Sequence, residues 1–112
     1  MTKLECIIRP GKLEDIKYVL NKHGIHGMTV TQVIGCGLQK GRTETYRGTE
    51  YSINLLPKVK LEIVVKDEVA DDVLKIIRSA AHTGDIGDGK IFLSKIEDVM
   101  RIRTGERGEA AI

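Results

Sequence analysis

Leu4, Cys6 and Ile8 alternate with Lys3, Glu5 and Arg9, the two-residue period of a strand with one buried face, and Pro10-Gly11 ends the run. From Lys12 the spacing changes to Leu13, Ile16 and Leu20 with Val19 beside them. This helical stripe stops at Gly24, where a left-handed cap favours glycine. Met28 to Ile34, rich in Thr, Val and Ile, reads as a second strand. Val59, Leu61, Ile63 and Val65 alternate with Lys58, Lys60, Glu62 and Lys66 in a third, the clearest of all. Asp67 is placed to cap a second helix carrying Val69, Val73, Ile76, Ile77 and Ala80, and Lys90 to Ile96 returns to strand character around Ile91 and Leu93.

The predicted order is therefore βαββαβ. Two such halves pack as an α+β sandwich of the ferredoxin-like kind, a four-stranded antiparallel sheet with both helices on one face. Val64 and Ile7 would then point to the uncovered face, which predicts self-association. Beyond Ile96, a turn over Glu97 to Met100 leads into Arg101-Ile102-Arg103, read as a short extended segment, and then a polar tail. The connection from about 38 to 56 breaks the pattern, because adjacent strands are usually joined by about two to five residues. With little apolar surface before Ile53, it is expected to be a loop that orders on binding.

Length fits one domain, 1–112, so every function must share one core. With no Trp and one Phe, Phe92, that core must be built from Ile, Val and Leu. A net charge of +2 from 18 basic and 16 acidic residues, mixed along the chain, offers no nucleic-acid tail or membrane patch. Cys6 and Cys36 form no CxxC pair and no apolar signal segment precedes them, so a reduced, cytoplasmic protein is expected. No apolar run approaches the roughly 20 residues needed to span a bilayer.

Two glycine clusters carry candidate chemistry. Gly35-Cys36-Gly37-Leu38-Gln39-Lys40-Gly41 lies where the second strand enters the long connection, and its glycines admit either backbone approach to a phosphate or a bulge and turn. Gly84-Asp85-Ile86-Gly87-Asp88-Gly89-Lys90 imitates a P-loop, but Ile91 stands at the Ser/Thr position and a strand follows where a helix is required. It reads equally as a phosphate loop or as a turn. On an extended segment Arg101 and Arg103 would share one side, suited to phosphate or carboxylate, and with Lys40, Lys58 and Lys90 they would surround a polyanion if the fold or a neighbouring subunit gathers them.

Several motifs in register decide between these readings. Tyr46-Arg47-Gly48-Thr49-Glu50-Tyr51, Leu56-Pro57-Lys58-Val59-Lys60, Thr83-Gly84 with Gly87-Asp88-Gly89-Lys90-Ile91-Phe92, and Arg101-Ile102-Arg103-Thr104-Gly105-Glu106 resemble PII nitrogen-signalling proteins over nearly the entire chain. The resemblance implies a homotrimer with nucleotide sites between subunits, a long T-loop at about 38–56, a Gly-rich B-loop at about 82–90 and a C-terminal loop at about 97–112. It implies that Gly35, Gly37, Gly87, Asp88 and Gly89 approach ATP or ADP and that Lys90, Arg101 and Arg103 neutralise phosphates, the arginines coming from the neighbour. Thr29, Glu62 and Val64 would meet the nucleoside. Gln39 would ligate magnesium shared with the phosphates and 2-oxoglutarate, while Lys58 would pair with the far carboxylate and Lys40, Gly41 and Gly87 would complete the oxoacid site. Leu38 departs from the Arg common at that position.

The resemblance further implies control of an ammonium channel, with Arg47 at the loop tip, or of enzymes and regulators of nitrogen metabolism. Tyr51 matches a loop tyrosine that is nucleotidylated in some branches of the family, although an exposed loop tyrosine also serves unmodified. No catalytic residue is expected: His23 and His26 surround a helix end, and His82 has no nucleophile beside it. Two rival functions are an RNA-binding sheet, which lacks stacking aromatics on its predicted central strands, and a weak ATP-hydrolysing enzyme, which lacks a base or nucleophile supplied by motif.

Overall fold

The computed structural model describes residues 1–36, 42–46, 49–53 and 55–112, with 42–46 and 49–53 described by their backbone. The elements are β1 (Thr2–Ile8), α1 (Leu13–Lys22), β2 (Thr29–Cys36), β3 (Arg42–Tyr46), β4 (Thr49–Ile53), β5 (Leu55–Val65), α2 (Asp67–Ala81) and β6 (Gly89–Lys95). Strands β2, β5, β1 and β6 lie side by side in that order, every neighbouring pair antiparallel. With the two helices packed against the sheet, this is the ferredoxin-like α+β arrangement expected from the hydrophobic pattern.

Alternation along the two central strands divides the sheet into two faces. Leu4, Cys6 and Ile8 of β1 and Val59, Leu61, Ile63 and Val65 of β5 are buried against Ile16 and Leu20 of α1 and Val73 and Ile77 of α2. Burying each large aliphatic side chain contributes about 1.5–3 kcal/mol, so this single layer supplies most of the driving force. The other face carries Lys3, Glu5 and Ile7 beside Lys60, Glu62 and Val64, with Ile7 and Val64 half-buried as the pattern predicts for a face without helices.

Helix α1 ends as expected. Gly24 has φ +78°, its N–H donates to the Asn21 carbonyl, and the Ile25 N–H donates to the Leu20 carbonyl, closing the last turn in a Schellman motif. His23 Nδ1 lies 2.8 Å from the Val19 carbonyl and His26 Nδ1 lies 2.9 Å from Asn21 Oδ1, so both histidines attend this terminus.

Three expectations are corrected. Asp67 is the first helical residue of α2 rather than its cap: Lys66 occupies the cap position, and the Asp67 carboxylate instead accepts the Thr2 hydroxyl at 2.6 Å and pairs with Lys95 at 3.2 Å. Among the described residues of 38–56, β3 and β4 form an antiparallel pair from Arg42 opposite Ile53 to Tyr46 opposite Thr49, and β5 already begins at Leu55, strands that the pattern did not predict. Alternating Thr and Tyr with an Arg-Gly pair between them is the signal for that hairpin. Arg101 to Arg103 is not extended either. Met100 bridges Arg107, the Gly105 N–H donates to the Arg101 carbonyl at 2.8 Å, and the intervening residues form a turn.

Candidate functional site

Where β1 ends, β5 begins and β6 begins, three chain segments meet. Gly89 pairs with Ile8 and Lys90 with Ile7, which brings the glycine-rich loop 82–88 against the exit of β1. Arg9, just past β1, donates from Nε to Asp88 Oδ1 at 3.1 Å and from Nη2 to the Ile86 carbonyl at 3.0 Å. Asp88 also accepts the Thr83 and Gly84 backbone N–H groups on Oδ2, at 2.8 and 2.9 Å, and the Thr83 hydroxyl on Oδ1. These bonds, the Thr83 hydroxyl first, hold the Asp88 carboxyl far below the usual carboxylate range.

Lys58 reaches this loop from β5. It is buried, and its Nζ donates to the Gly87 carbonyl at 2.7 Å. Burial lowers its pKa first and the Arg9 cation lowers it further, with Asp88 opposing both. Gly35 lies alongside on β2, so close that a β-carbon there would stand 2.9 Å from Lys58 Cγ. Gly35, Lys58, Gly87, Asp88, Gly89 and Lys90, distant in sequence, thus converge on one end of the sheet.

A second cluster occupies another cleft. Thr29, Glu62, Val64 and Arg101 line an open cavity of about 680 Å³, with Lys3 and Ile112 on its walls. Thr29 sits opposite Glu62 on the paired strands. Lys3 Nζ approaches Glu62 Oε2 at 2.6 Å, and this bond, aided by Lys60, lowers the Glu62 pKa while raising that of Lys3. Arg101 Nη1 donates to Glu106 Oε1 at 3.0 Å across the C-terminal hairpin. Arg103 is exposed.

Asp88, Gly89 and Lys90 instead line a cleft of about 440 Å³ beside α2, so one chain does not gather Lys90 and Arg101 around a single cavity. Gly37, Gln39, Lys40, Gly41 and Arg47, with the departure at Leu38, lie outside the described residues, and Tyr51 is described only as backbone of β4. Arg9 was given no site role from sequence, and Thr83 and Glu106 stood there only within motifs, without a role of their own. The spacing of Thr83 and Asp88 around Gly84 and Gly87 is a local signal for a side-chain-closed turn, whereas Arg9 and Asp88, 79 residues apart, give none.

No helix among the described residues is long and apolar enough to cross a membrane. Residues 1–106 match the family described as nitrogen regulatory protein P-II. The nitrogen regulatory protein P-II of Rhizobium meliloti (strain 1021) is 56% identical over 112 residues, the whole of both chains. Nitrogen regulatory protein P-II 2 of Methanothermobacter thermautotrophicus is 57% identical over all of this chain and 97% of its own. Nitrogen regulatory protein GlnK of Escherichia coli (strain K12) is 53% identical over the whole of both. These are names of regulators rather than enzymes, in keeping with the expectation that nothing here catalyses a reaction. The convergence of the motif residues on this fold and the full-length similarity agree: the chain belongs to the nitrogen regulatory protein P-II family.

Proposed function

We propose that this chain is a cytoplasmic sensor in nitrogen regulation that binds ATP or ADP together with 2-oxoglutarate and acts on partner proteins as a homotrimer. The setting of Lys58 carries the reading. Its side chain is largely covered and partly desolvated, and its ammonium stands near a second cation at Arg9 and donates to the neutral Gly87 carbonyl. A partly desolvated cation in such surroundings gains from an arriving anion, and a carboxylate of 2-oxoglutarate supplies one.

The nucleotide would lie where two subunits meet. Gly35, Gly87, Asp88, Gly89 and Lys90 form one wall; Thr29, Glu62 and Val64, with Arg101 and Arg103 of the neighbour's C-terminal loop, form the other. Asp88, Gly89 and Lys90 line one cleft of a single chain and Thr29, Glu62, Val64 and Arg101 another, a division that supports this assembly. Bound magnesium, a cation that favours oxygen ligands, would offset charge between phosphates and oxoacid. Gln39 is its proposed ligand, and Gly37, Lys40 and Gly41 complete the phosphate and oxoacid sites.

Occupation of this site would bias the segment 38–56 toward one set of conformations with ATP and 2-oxoglutarate and toward another with ADP. A ligand shifts such an equilibrium only by its differential affinity, so a partner gripping the ADP form must reciprocally weaken 2-oxoglutarate binding. The proposed partners are an ammonium channel, met through Arg47, and enzymes or regulators of nitrogen metabolism. Tyr51 is the proposed site of nucleotidylation.

Calorimetric titration of 2-oxoglutarate with magnesium into ATP-loaded and ADP-loaded protein tests this reading. Binding heat with ATP alone is expected. Absence of heat in both samples would remove the oxoacid from the function and leave a nucleotide-only regulator.

A further inference from the structure

We infer that the Asp88 side chain is a positioning group for the nucleotide site, shaping the glycine-rich loop together with Thr83 and Arg9, so that Asp88 faces the nucleotide with its backbone alone. The inference rests on the reading of Gly87, Gly89 and Lys90 as phosphate-facing groups. A carboxylate in a loop that receives phosphates poses an electrostatic problem, because like charges repel unless the acid is turned away or neutralised. Here it is both. Oδ2 takes the N–H groups of Thr83 and Gly84, while Oδ1 takes the Thr83 hydroxyl and Arg9 Nε. Four donors fill the roughly four acceptor positions of a carboxylate, so none is left for a ribose hydroxyl or a phosphate-bound metal.

The same bonds fix the loop at both ends. Thr83 receives the Asp85 N–H on its hydroxyl oxygen while donating to Asp88, which ties the start of the loop to its end. Arg9 holds the middle by its second bond, to the Ile86 carbonyl. Lys58 holds the Gly87 carbonyl from the other side, which directs that peptide's oxygen toward β5. Gly87 and Gly89 have φ of +106° and +101°, a course that glycine adopts freely and side-chain-bearing residues rarely do, so the loop needs glycine at both positions. The Asp88 carboxylate, between them in sequence, ties this stretch back to Thr83, Gly84 and Arg9.

The test uses the full chain and measures ATP and ADP dissociation constants by calorimetry for wild type, Asp88→Asn, Thr83→Val and Thr83→Ser. An asparagine at 88 faces two of the four donors with its own N–H groups. Charged hydrogen bonds of this kind convert to a loss of about tenfold or more in affinity for both nucleotides. Thr83→Val loses the hydroxyl bond and weakens binding, and Thr83→Ser restores it to within about twofold of wild type, a rescue that a purely space-filling role for Thr83 would not produce. If Asp88→Asn does not fold, the Thr83 pair carries the same comparison. Wild-type affinity in Asp88→Asn, or equal weakness in Thr83→Val and Thr83→Ser, would overturn the positioning role alone. A wild-type chain that binds neither nucleotide would overturn the underlying reading and this inference with it.

Discussion

The β-carbon that Gly89 lacks would stand 1.7 Å from the carbonyl oxygen of Ile7, an atom of the central strand that cannot move aside. Gly89 also has φ +101°, which side-chain-bearing residues rarely adopt. Gly89→Ala should therefore cost about 2 kcal/mol or more in chemical denaturation. Gly35→Ala meets the Lys58 side chain, its Cγ at 2.9 Å, which can shift only by disturbing the bond from Lys58 to Gly87, and φ at Gly35 is not left-handed, so its cost should be smaller, about 1–2 kcal/mol. Equal losses in the two variants would contradict the distinction between a rigid and a yielding neighbour.

Lys58→Met keeps most of the buried stem and removes the charge. Because burial and Arg9 both disfavour that charge, the variant should melt within about 3 °C of wild type or above it. Titration of 2-oxoglutarate into its ATP-loaded form should show no binding heat, while ATP alone still binds. Retained oxoacid binding would move the carboxylate site elsewhere.

Acid should weaken the fold through Asp67. The Thr2 hydroxyl, the terminal amine and Lys95, in that order of effect, lower its carboxyl from 3.8 to about 2. A carboxyl depressed in the folded chain contributes stability that is complete above its unfolded value near 4 and is lost as pH falls toward 2. Asp88 and Asp98, also depressed, act in the same direction. Asp67→Asn should thus melt below wild type at pH 7, with the gap narrowing toward pH 2. A gap of constant width across that range would show that the charge of Asp67 contributes nothing.

Thiol labelling should separate the two cysteines. Cys6 is buried in the core and its thiol is pushed up to about 12 by burial and by Glu5, so it stays protonated and out of reach, whereas Cys36 is exposed at the end of β2. A disulfide reagent should label one thiol rapidly in the native chain and both in denaturant. Rapid labelling of both under native conditions would mean that β1 opens readily.

Residues whose roles depend on near neighbours were legible in the sequence. The alternation of Leu4, Cys6 and Ile8, the glycine at 24, and Val73 and Ile77 of the second stripe needed only local periodicity and have the predicted place, whereas Val69 of that stripe is exposed and its neighbour Ala70 is buried instead. Lys58 and Gly87 were linked in sequence only through a ligand that the family motifs imply, and nothing there signalled the direct bond between two residues 29 apart. Asp67 misled because an acid before an apolar stripe resembles a cap, while its partners Thr2 and Lys95 lie on strands far away in the chain. Arg9 was silent for the same reason. The Arg101 turn was missed because two alternating arginines suggest a strand, and the hydrogen bonds from Gly105 and Gly108 that fold the segment back are visible only in three dimensions.

Strand β5 presents Val59, Leu61, Ile63 and Val65 to the core and Lys58, Lys60, Glu62 and Val64 to the opposite face. Because successive side chains alternate, losing a single residue inside it would exchange the two sets, burying cations and an acid among Leu4 and Ile16 while turning the aliphatic row outward. A point substitution here changes one contact, but a one-codon deletion would undo the interior and the opposite face together. Within β5, replacement is therefore tolerated more readily than any change in length, which the connections between elements absorb at lower cost.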